Sequence, residues 1–571
     1  MDKISKLRNL FKNCNINSYI VPSNDEFQNE YVPQHKARLK YLTGFTGSNG
    51  LALITNDKKI FFTDGRYLLQ AKNELDDDFE IIEYTQNNFK KILNDYSLII
   101  GFDPKLHMIN QVEKFFSFST KSKFIAIEKN LIDEVSNADV ISPKSTSKIF
   151  IYNIKYSGQD IEYKRKYLKQ DNIDAFIITA PDSICWLLNL RGNTVEFTPF
   201  FLGYLVAYKD GNMELFLEHI PEQEIIDYLE KNQIKVKFMS DLPTQLKKLT
   251  DVRVQISPSS PYWFKQLLPN VTLADDPCKL PKAIKNTEEI NGALKAHLYD
   301  AIALTEFLCR LEQSVNETEI SVSEKLLEYR KQQPNFVSPS FATIAGFAEN
   351  GAIIHYNPTL KTNKTIVGNN LLLLDSGGQY YGGTTDVTRV IAIGEPTEEQ
   401  IYNFTLVLKG HIALSSAKFP IGTSGAQLDA LARLPLWQEG KDYAHGTGHG
   451  VGSFLSVHEG PQRISKFSDV ALQEGMIVSI EPGYYKENAY GIRIENLVLV
   501  KESSPGFLCF FPLTKVFLEP KLIDFDSLTI SERQWLKDYH QDIAKTIGSS
   551  LTPSTKAWFD NKVKPFHEFV K

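Results

Sequence analysis

LLLLDSGGQYYGGTTDVTRV, residues 371–390, opens with four leucines and runs straight into an aspartate. A short apolar run bounded by glycine turns reads as a buried strand. Asp375 ends that run, and Asp386 follows a second glycine pair. A carboxylate at the mouth of an apolar strand is costly unless it is paired or holds a metal. The same placement recurs downstream. His449 lies in HGTGHG (445–450), Glu481 follows Ile480 in IVSIEPGYY (477–485), and Glu495 lies between Ile494 and Leu497 in GIRIENL (491–497).

Taken singly, an aspartate in a turn is a backbone cap and a histidine among glycines is a core residue. The alternative is one shared task. Two divalent ions about 3.5–4 Å apart need carboxylates between them to offset their repulsion. Four carboxylates and one imidazole suit Mn, Co, Fe or Zn better than Ca. Such a pair makes a hydroxide nucleophile from water at neutral pH. His355 in ENGAIIHYNP, His445 in YAHGTGHG and His458 in SVHEGP add imidazoles for holding a carbonyl oxygen or moving a proton. Glycines surround all three clusters, as expected where backbone stays close to a ligand.

Working outward, residues 286–330 read as a long helical region, with Ala301, Leu304, Phe307, Leu308 and Leu311 recurring at three and four. Strands and Gly-rich turns dominate from Phe336 onward. The last hundred residues add hairpins and an amphipathic helix, with Ser531 and Glu532 as its cap region.

The first part of the chain contains one α/β unit twice, offset by roughly 150 residues. The first copy starts with a short helix near 7–11 and a strand at 18–21. A hairpin at 51–63 turns on Asn56-Asp57, and Asp64-Gly65 turns into a helix from about Arg66. In the second copy, 174–179 corresponds to 17–22 and 186–192 to 41–47, with a hairpin turning at Lys209-Asp210-Gly211. The Ser- and Lys-rich stretch 144–150 reads as the junction, and IKYSGQDIEYKRKYLKQDNI as a charged helix opening the second copy. DDPCKLPKAIK ends it near 277–281.

Bulk properties narrow the function. The chain has 571 residues, net charge −6 and 23% charged residues, so nucleic acid is not an expected partner. Five cysteines, Cys14, Cys185, Cys278, Cys309 and Cys509, form no CxxC pair and sit in apolar contexts. They read as buried thiols in a reducing compartment. The N-terminus shows no signal-peptide pattern and no apolar run is long enough to span a membrane. The expectation is a cytoplasmic protein with no membrane partner.

The segments YLTGFTGSNG, FFTDGRYLLQA, DSICWLLNLRG, PKAIKNTEEINGALKAH, FATIAGFAENGAIIHY, DSGGQYYGGTTDVTR, HGTGHGVGSFLSVHEGP, EPGYY and GIRIENL together resemble the Xaa-Pro aminopeptidases of the long, three-domain cytosolic type, in peptidase family M24. The resemblance runs through nearly the whole chain. It implies a mixed α/β and α+β architecture. Two related N-terminal creatinase-like α/β domains (1–156 and 157–283) precede a catalytic domain of the pita-bread fold with a C-terminal extension (284–571).

The resemblance further implies a metalloexopeptidase that releases the N-terminal residue when proline is second, by attack of a metal-bridging hydroxide on the scissile carbonyl. Asp375, Asp386, His449, Glu481 and Glu495 fall on the family's ligands for two divalent ions, Mn(2+) first, with Co(2+) or Zn(2+) as alternatives. Glu481 falls also on its general base. His355 and His458 match histidines that steady the carbonyl, and His445 one that shapes the proline side. Arg493 matches an arginine that orients a ligand carboxylate. The N-terminal domains of the family restrict access to short peptides and support a homodimer. One departure stands out: LIDEVSNADVISP lacks the Trp and Arg-Pro pair common there, which touches packing or oligomer contacts and not the chemistry. Prolidase, general aminopeptidase, metal-free hydrolase and peptide-binding readings share the fold, but the last two need no complete ligand set.

Overall fold

The computed structural model describes residues 2–136 and 148–568. It divides into two compact units, Met1–Ile154 with Gln159–Lys279, and Lys155–Gly158 with Leu280–Lys571. Of the expected junction at 144–150, residues 144–147 lie outside the described residues.

The first unit holds the repeat. One six-stranded sheet runs in the order Phe79–Glu83, Lys59–Thr63, Leu51–Thr55, Ser18–Pro22, Ile99–Phe102, Lys123–Ala126. The second runs Ile234–Phe238, Met213–Leu217, Gly203–Tyr208, Ala175–Ile178, Val254–Ile256, Thr272–Leu273. From left to right the pairings of both are parallel, antiparallel, antiparallel, parallel, parallel. The strands Ser18–Pro22 and Ala175–Ile178 are buried along their whole length. That explains their unbroken apolar reading, since strands covered on both faces do not alternate. Both expected hairpin turns form, with Thr55 N–H donating to Lys58 O at 3.0 Å and Gly211 at φ +93°.

Two expectations for the first 170 residues shift. The helix expected from Arg66 begins at Leu68, because the Asp64 carboxylate accepts from Arg66 N–H at 3.0 Å and holds a turn first. The charged helix after 154 is broken into Ile154–Ser157, Ile161–Lys164 and a 3-10 turn Arg165–Leu168. Gly158 adopts φ +67° and Asp160 caps a fresh start, so the helical register is reset between them.

In the second unit the expected long helical region is two helices, Thr287–Glu312 and Glu319–Lys331, because Thr318 begins the second with its own capping box. The five apolar positions from Ala301 to Leu311 are buried. They pack in one core with Leu371, Leu372, Leu374, Val387 and Val390. Two further helices, Glu398–Ser415 and Gly425–Trp437, interrupt a region expected to be mostly strand. Their capping boxes, Thr397 with Gln400 and Ser424 with Gln427, were the overlooked signals. Near the C-terminus the helix Ile530–Ile547 is capped by Thr529 and not Ser531. Cys185, Cys278 and Cys309 are buried, while Cys14 and Cys509 are only half-buried. Among the described residues no helix is long and apolar enough to cross a membrane.

Two sheets carry the chemistry-bearing residues. One is Ile344–Phe347, Asn370–Ser376, Val387–Ile393. The other runs Lys418–Pro420, Phe507–Pro512, Asn496–Ser504, Ile477–Ile480, Gly448–Gly450, Glu459–Ile464. A separate hairpin, Gly483–Lys486 with Tyr490–Arg493, lies in sequence between Glu481 and Glu495.

Candidate metal centre

Each acidic residue sits where a strand begins or ends. Asp375 is next to last in Asn370–Ser376, paired with Thr388 in the neighbouring strand. Asp386 directly precedes Val387–Ile393, Glu481 directly follows Ile477–Ile480, and Glu495 directly precedes Asn496–Ser504. His449 is the middle residue of Gly448–Gly450. The strand ends thus deliver the side chains to one place from five separate segments.

Asp386, His449 and Glu495 offer ligand atoms that all lie within 4.8 Å of one another. His449 Nε2 stands 3.4 Å from Asp386 Oδ2, 3.5 Å from Glu481 Oε1 and 4.0 Å from Glu495 Oε1. Asp375 joins through Arg493, whose Nη2 donates to its Oδ2 at 2.6 Å. Arg493 also donates to the Tyr485 hydroxyl at 2.7 Å and to Thr388 Oγ1 at 3.2 Å. Thr388 in turn donates to Glu495 Oε2 at 2.8 Å.

The electrostatics are unfavourable for the side chains alone. Burial, then the charges of Asp375 and Glu481, push the Asp386 carboxyl well above the usual carboxylate range. Burial and the charges of Asp386, Glu481 and Asp375 do the same to Glu495. Burial opposes charge on Arg493, yet Tyr485, Asp375 and Glu481 around it hold its pKa above the ordinary value. The inner oxygens Asp375 Oδ1 and Asp386 Oδ1 are buried and accept no hydrogen bond among the described residues. Buried acceptors left unpaired cost about 1–3 kcal/mol each, so this donor set is organised for a ligand the side chains do not supply.

The histidines surround the cluster. His458 packs edge-on against His449, ring centroids 4.4 Å apart. His445 Nε2 is 2.8 Å from the Tyr485 hydroxyl and its Nδ1 is 3.9 Å from Glu481 Oε2. His445 also stacks obliquely beside Tyr443 at 4.8 Å. His355 is half-buried on the turn after the 3-10 helix Ala348–Ala352. Its neighbours Ile353 and Tyr356 pack with Leu373 and Tyr485, which brings that turn to the same wall.

Glycines in the segments around the cluster allow close backbone approach within the protein. A Cβ on Gly448 would lie 1.9 Å from Ser479 O, and one on Gly491 1.7 Å from Gly351 O. The first approach joins two strands and the second a strand to the 3-10 helix Ala348–Ala352, which draws these segments together.

Three residues escaped the sequence reading: Thr388, Tyr485 and Arg389. Arg389 is buried and donates to the carbonyls of Thr388, Glu495, Val516 and Phe517, to Asn496 Oδ1 and to the Tyr539 hydroxyl. It therefore fixes the backbone at Glu495 from behind. The available signal was two adjacent polar residues, Thr388 and Arg389, inside the strand VTRVIAI.

Residues 292–502, which include every residue of this cluster, match the family described as Metallopeptidase family M24. The chain is also 37% identical to Xaa-Pro aminopeptidase 1 of Dictyostelium discoideum, over 99% of this chain and 96% of that protein. The chain belongs to metallopeptidase family M24. Residues 3–135 and 141–289 each match a creatinase/prolidase N-terminal domain, and 506–566 match a C-terminal region of the family. A probable Xaa-Pro aminopeptidase P of Sordaria macrospora is 37% identical over 99% of both chains. Among solved structures, an X-prolyl aminopeptidase from Caenorhabditis elegans, described as a cytosolic enzyme with a di-nuclear active site, superposes with a TM-score of 0.92. It is 31% identical and covers 100% of this chain and 99% of its own. Prolidase from Pyrococcus furiosus matches 62% of this chain and 98% of its own, with 25% identity and a TM-score of 0.50. The architecture is thus two creatinase-type α/β domains followed by an M24 catalytic domain.

Proposed function

We propose that this chain is an Xaa-Pro aminopeptidase, releasing the N-terminal residue from short peptides whose second residue is proline. Full-length similarity to proteins of that name supports the substrate. The observation that carries the chemistry is the convergence of Asp386, His449 and Glu495 within 4.8 Å, with Glu481 and Asp375 alongside.

The residues fit a pair of divalent cations. Four carboxylates crowd together beside one guanidinium, and two buried carboxylate oxygens lack a donor. An oxygen-rich set with one imidazole suits first-row divalent ions. Asp375, Asp386, His449, Glu481 and Glu495 would hold them, with manganese as our first assignment and cobalt or zinc as alternatives. When bound, the ions supply Lewis acidity and a nucleophile from water at neutral pH.

The chain's own groups do the rest. Glu481, its Oε1 held by the Ser479 hydroxyl at 3.1 Å, takes the proton of the attacking water and returns it to the leaving proline nitrogen. His355 and His458 donate to the scissile carbonyl oxygen as it gains charge. His445, Tyr443 and Tyr485 form an aromatic wall for the proline ring. The bond before proline has no N–H, so this wall requires no acceptor for one. Arg493 orients Asp375. The domain division is 1–156, 157–283 and 284–571. A cytoplasmic homodimer completes the reading: the C. elegans protein described as a cytosolic enzyme supports the location, and the exposed apolar side chains Leu431, Leu434 and Trp437 on one helix support the dimer.

The test is release of the N-terminal residue from Arg-Pro-Pro and Arg-Ala-Ala by metal-stripped protein, with and without added Mn, Co or Zn. Cleavage of the proline peptide alone, and only with metal, is expected. Equal cleavage of both would make this a general aminopeptidase. Failure on both, with cleavage of Xaa-Pro dipeptides, would make it a prolidase.

A further inference from the structure

Glu319, the first residue of the helix Glu319–Lys331, is fully buried, at 0% exposure. Its carboxylate accepts from Phe347 N–H at 2.8 Å, the Asn350 amide at 2.9 and 3.1 Å, the Tyr356 hydroxyl at 2.8 Å and Lys364 N–H at 2.9 Å. All four donors are neutral, and all come from residues 347–364. They bracket His355 on both sides, and Tyr356 is its direct neighbour. The start of a helix favours a carboxylate, and the groups that donate to Glu319 are amides and a hydroxyl.

Other bonds tie the same two segments. Glu319 N–H donates to Lys364 O at 3.1 Å, Ile320 N–H to Asn363 Oδ1 at 3.0 Å and Ile366 N–H to Glu317 O at 2.7 Å. The turn is also held by the Lys364–Glu349 ion pair, by Asn350 and Tyr356 bonding Thr362 O, by the approach of Gly351 to Gly491 and by the packing of Ile353 and Tyr356. Among the described residues, though, the side chain of Glu319 alone joins Phe347, Asn350, Tyr356 and Lys364 together to the helix. A carboxylate suits the task because it only accepts, and each of its partners only needs to donate.

We propose that Glu319 is a positioning residue: it fixes the turn that carries His355, and so sets where that imidazole meets the carbonyl oxygen. The proposal rests on the role given to His355 under the proposed function. The side-chain hydrogen bonds of Glu319 among the described residues go to Phe347, Asn350, Tyr356 and Lys364 and not to the proposed ligand residues, so its loss is expected to leave metal binding intact.

A double-mutant cycle tests it, using the full chain reconstituted with Mn and assayed on Arg-Pro-Pro. Glu319→Gln keeps the shape but turns an N–H toward groups that donate. It is expected to lower kcat roughly 10- to 100-fold, the scale of misplacing a reacting group by about 1 Å, with KM near wild type and two Mn per chain retained. In a His355→Ala background the same change is expected to cost less than twofold, since both act through one imidazole. Tyr356→Phe removes a single donor and is expected to repeat the pattern at smaller size, which keeps the test open if Glu319→Gln does not fold. Equal losses with and without His355, or a Glu319→Gln enzyme within twofold of wild type while His355→Ala is impaired, would overturn this proposal alone. A His355→Ala enzyme at the wild-type rate would overturn both it and the role assigned to His355.

Discussion

Arg493 and Asp375 are joined by a 2.6 Å hydrogen bond from Nη2 to Oδ2, across 118 residues of chain. The guanidinium reaches Tyr485 and Thr388 as well, so it sets the orientation of Asp375 and, through Thr388, of Glu495. A lysine offers one point charge and cannot make the three bonds together. Arg493→Lys and Arg493→Met are expected to weaken Mn binding about 10- to 100-fold. Calorimetric titration of chelator-treated protein measures this directly. Unchanged affinity would leave Arg493 a structural ion pair.

Tyr485 links that arginine to His445, receiving from Arg493 and lying 2.8 Å from His445 Nε2. Burial pushes its hydroxyl up to about 12, so it is neutral throughout the working range. Tyr485→Phe is expected to lower activity on Arg-Pro-Pro about tenfold while the ring still packs. Steady-state kinetics with matched metal content is the readout.

Lys282 and Lys285 both bind Glu459, and all three side chains are at most 2% exposed. Glu459→Gln would remove the carboxylate that both ammoniums share and is expected to destabilise the second unit by about 3–5 kcal/mol. Lys282→Met, which leaves the Lys285–Glu459 ion pair in place, is expected to cost much less. Denaturant unfolding of the two variants separates these outcomes, and equal costs would mean that water reaches the triad.

Four buried histidines set an acid limit. Burial pushes His107 and His297 down to about 4, and His411 and His540 to about 3. Unfolded, each titrates near 6.5. Between those values the unfolded chain binds more protons, so stability falls as pH falls, by about 1.4 kcal/mol per pH unit for each imidazole. The contribution is complete above pH 6.5. Three of the four lie in the second unit, so its calorimetric transition is expected to drop faster than the other's from pH 7 to 5. Parallel shifts would contradict this.

Much of this was legible in the chain. The duplicated α/β unit was visible because its central strands are buried on both faces and carry plain apolar runs. The clustered carboxylates were visible because charge at a strand mouth needs a reason. Helix boundaries were harder. The break before Thr318 and the helices after Thr397 and Ser424 depend on capping bonds, where one hydroxyl decides whether a helix starts. Thr388 and Arg389 were hidden for another reason. Their partners, from Glu495 to Tyr539, lie more than a hundred residues away in sequence, and no local pattern reports a contact of that range.

Arg389 also speaks to how far this enzyme can be shortened. Carbonyls of Val516 and Phe517 and the Tyr539 hydroxyl all receive its guanidinium, and all belong to the segment 506–566. A chain stopped after residue 505 would keep Asp375, Asp386, His449, Glu481 and Glu495, yet strip Arg389 of three of its six acceptors behind Glu495. The tail is the back wall of the hearth, and a version trimmed to the M24 core should be recovered as aggregate before it is ever found to be slow.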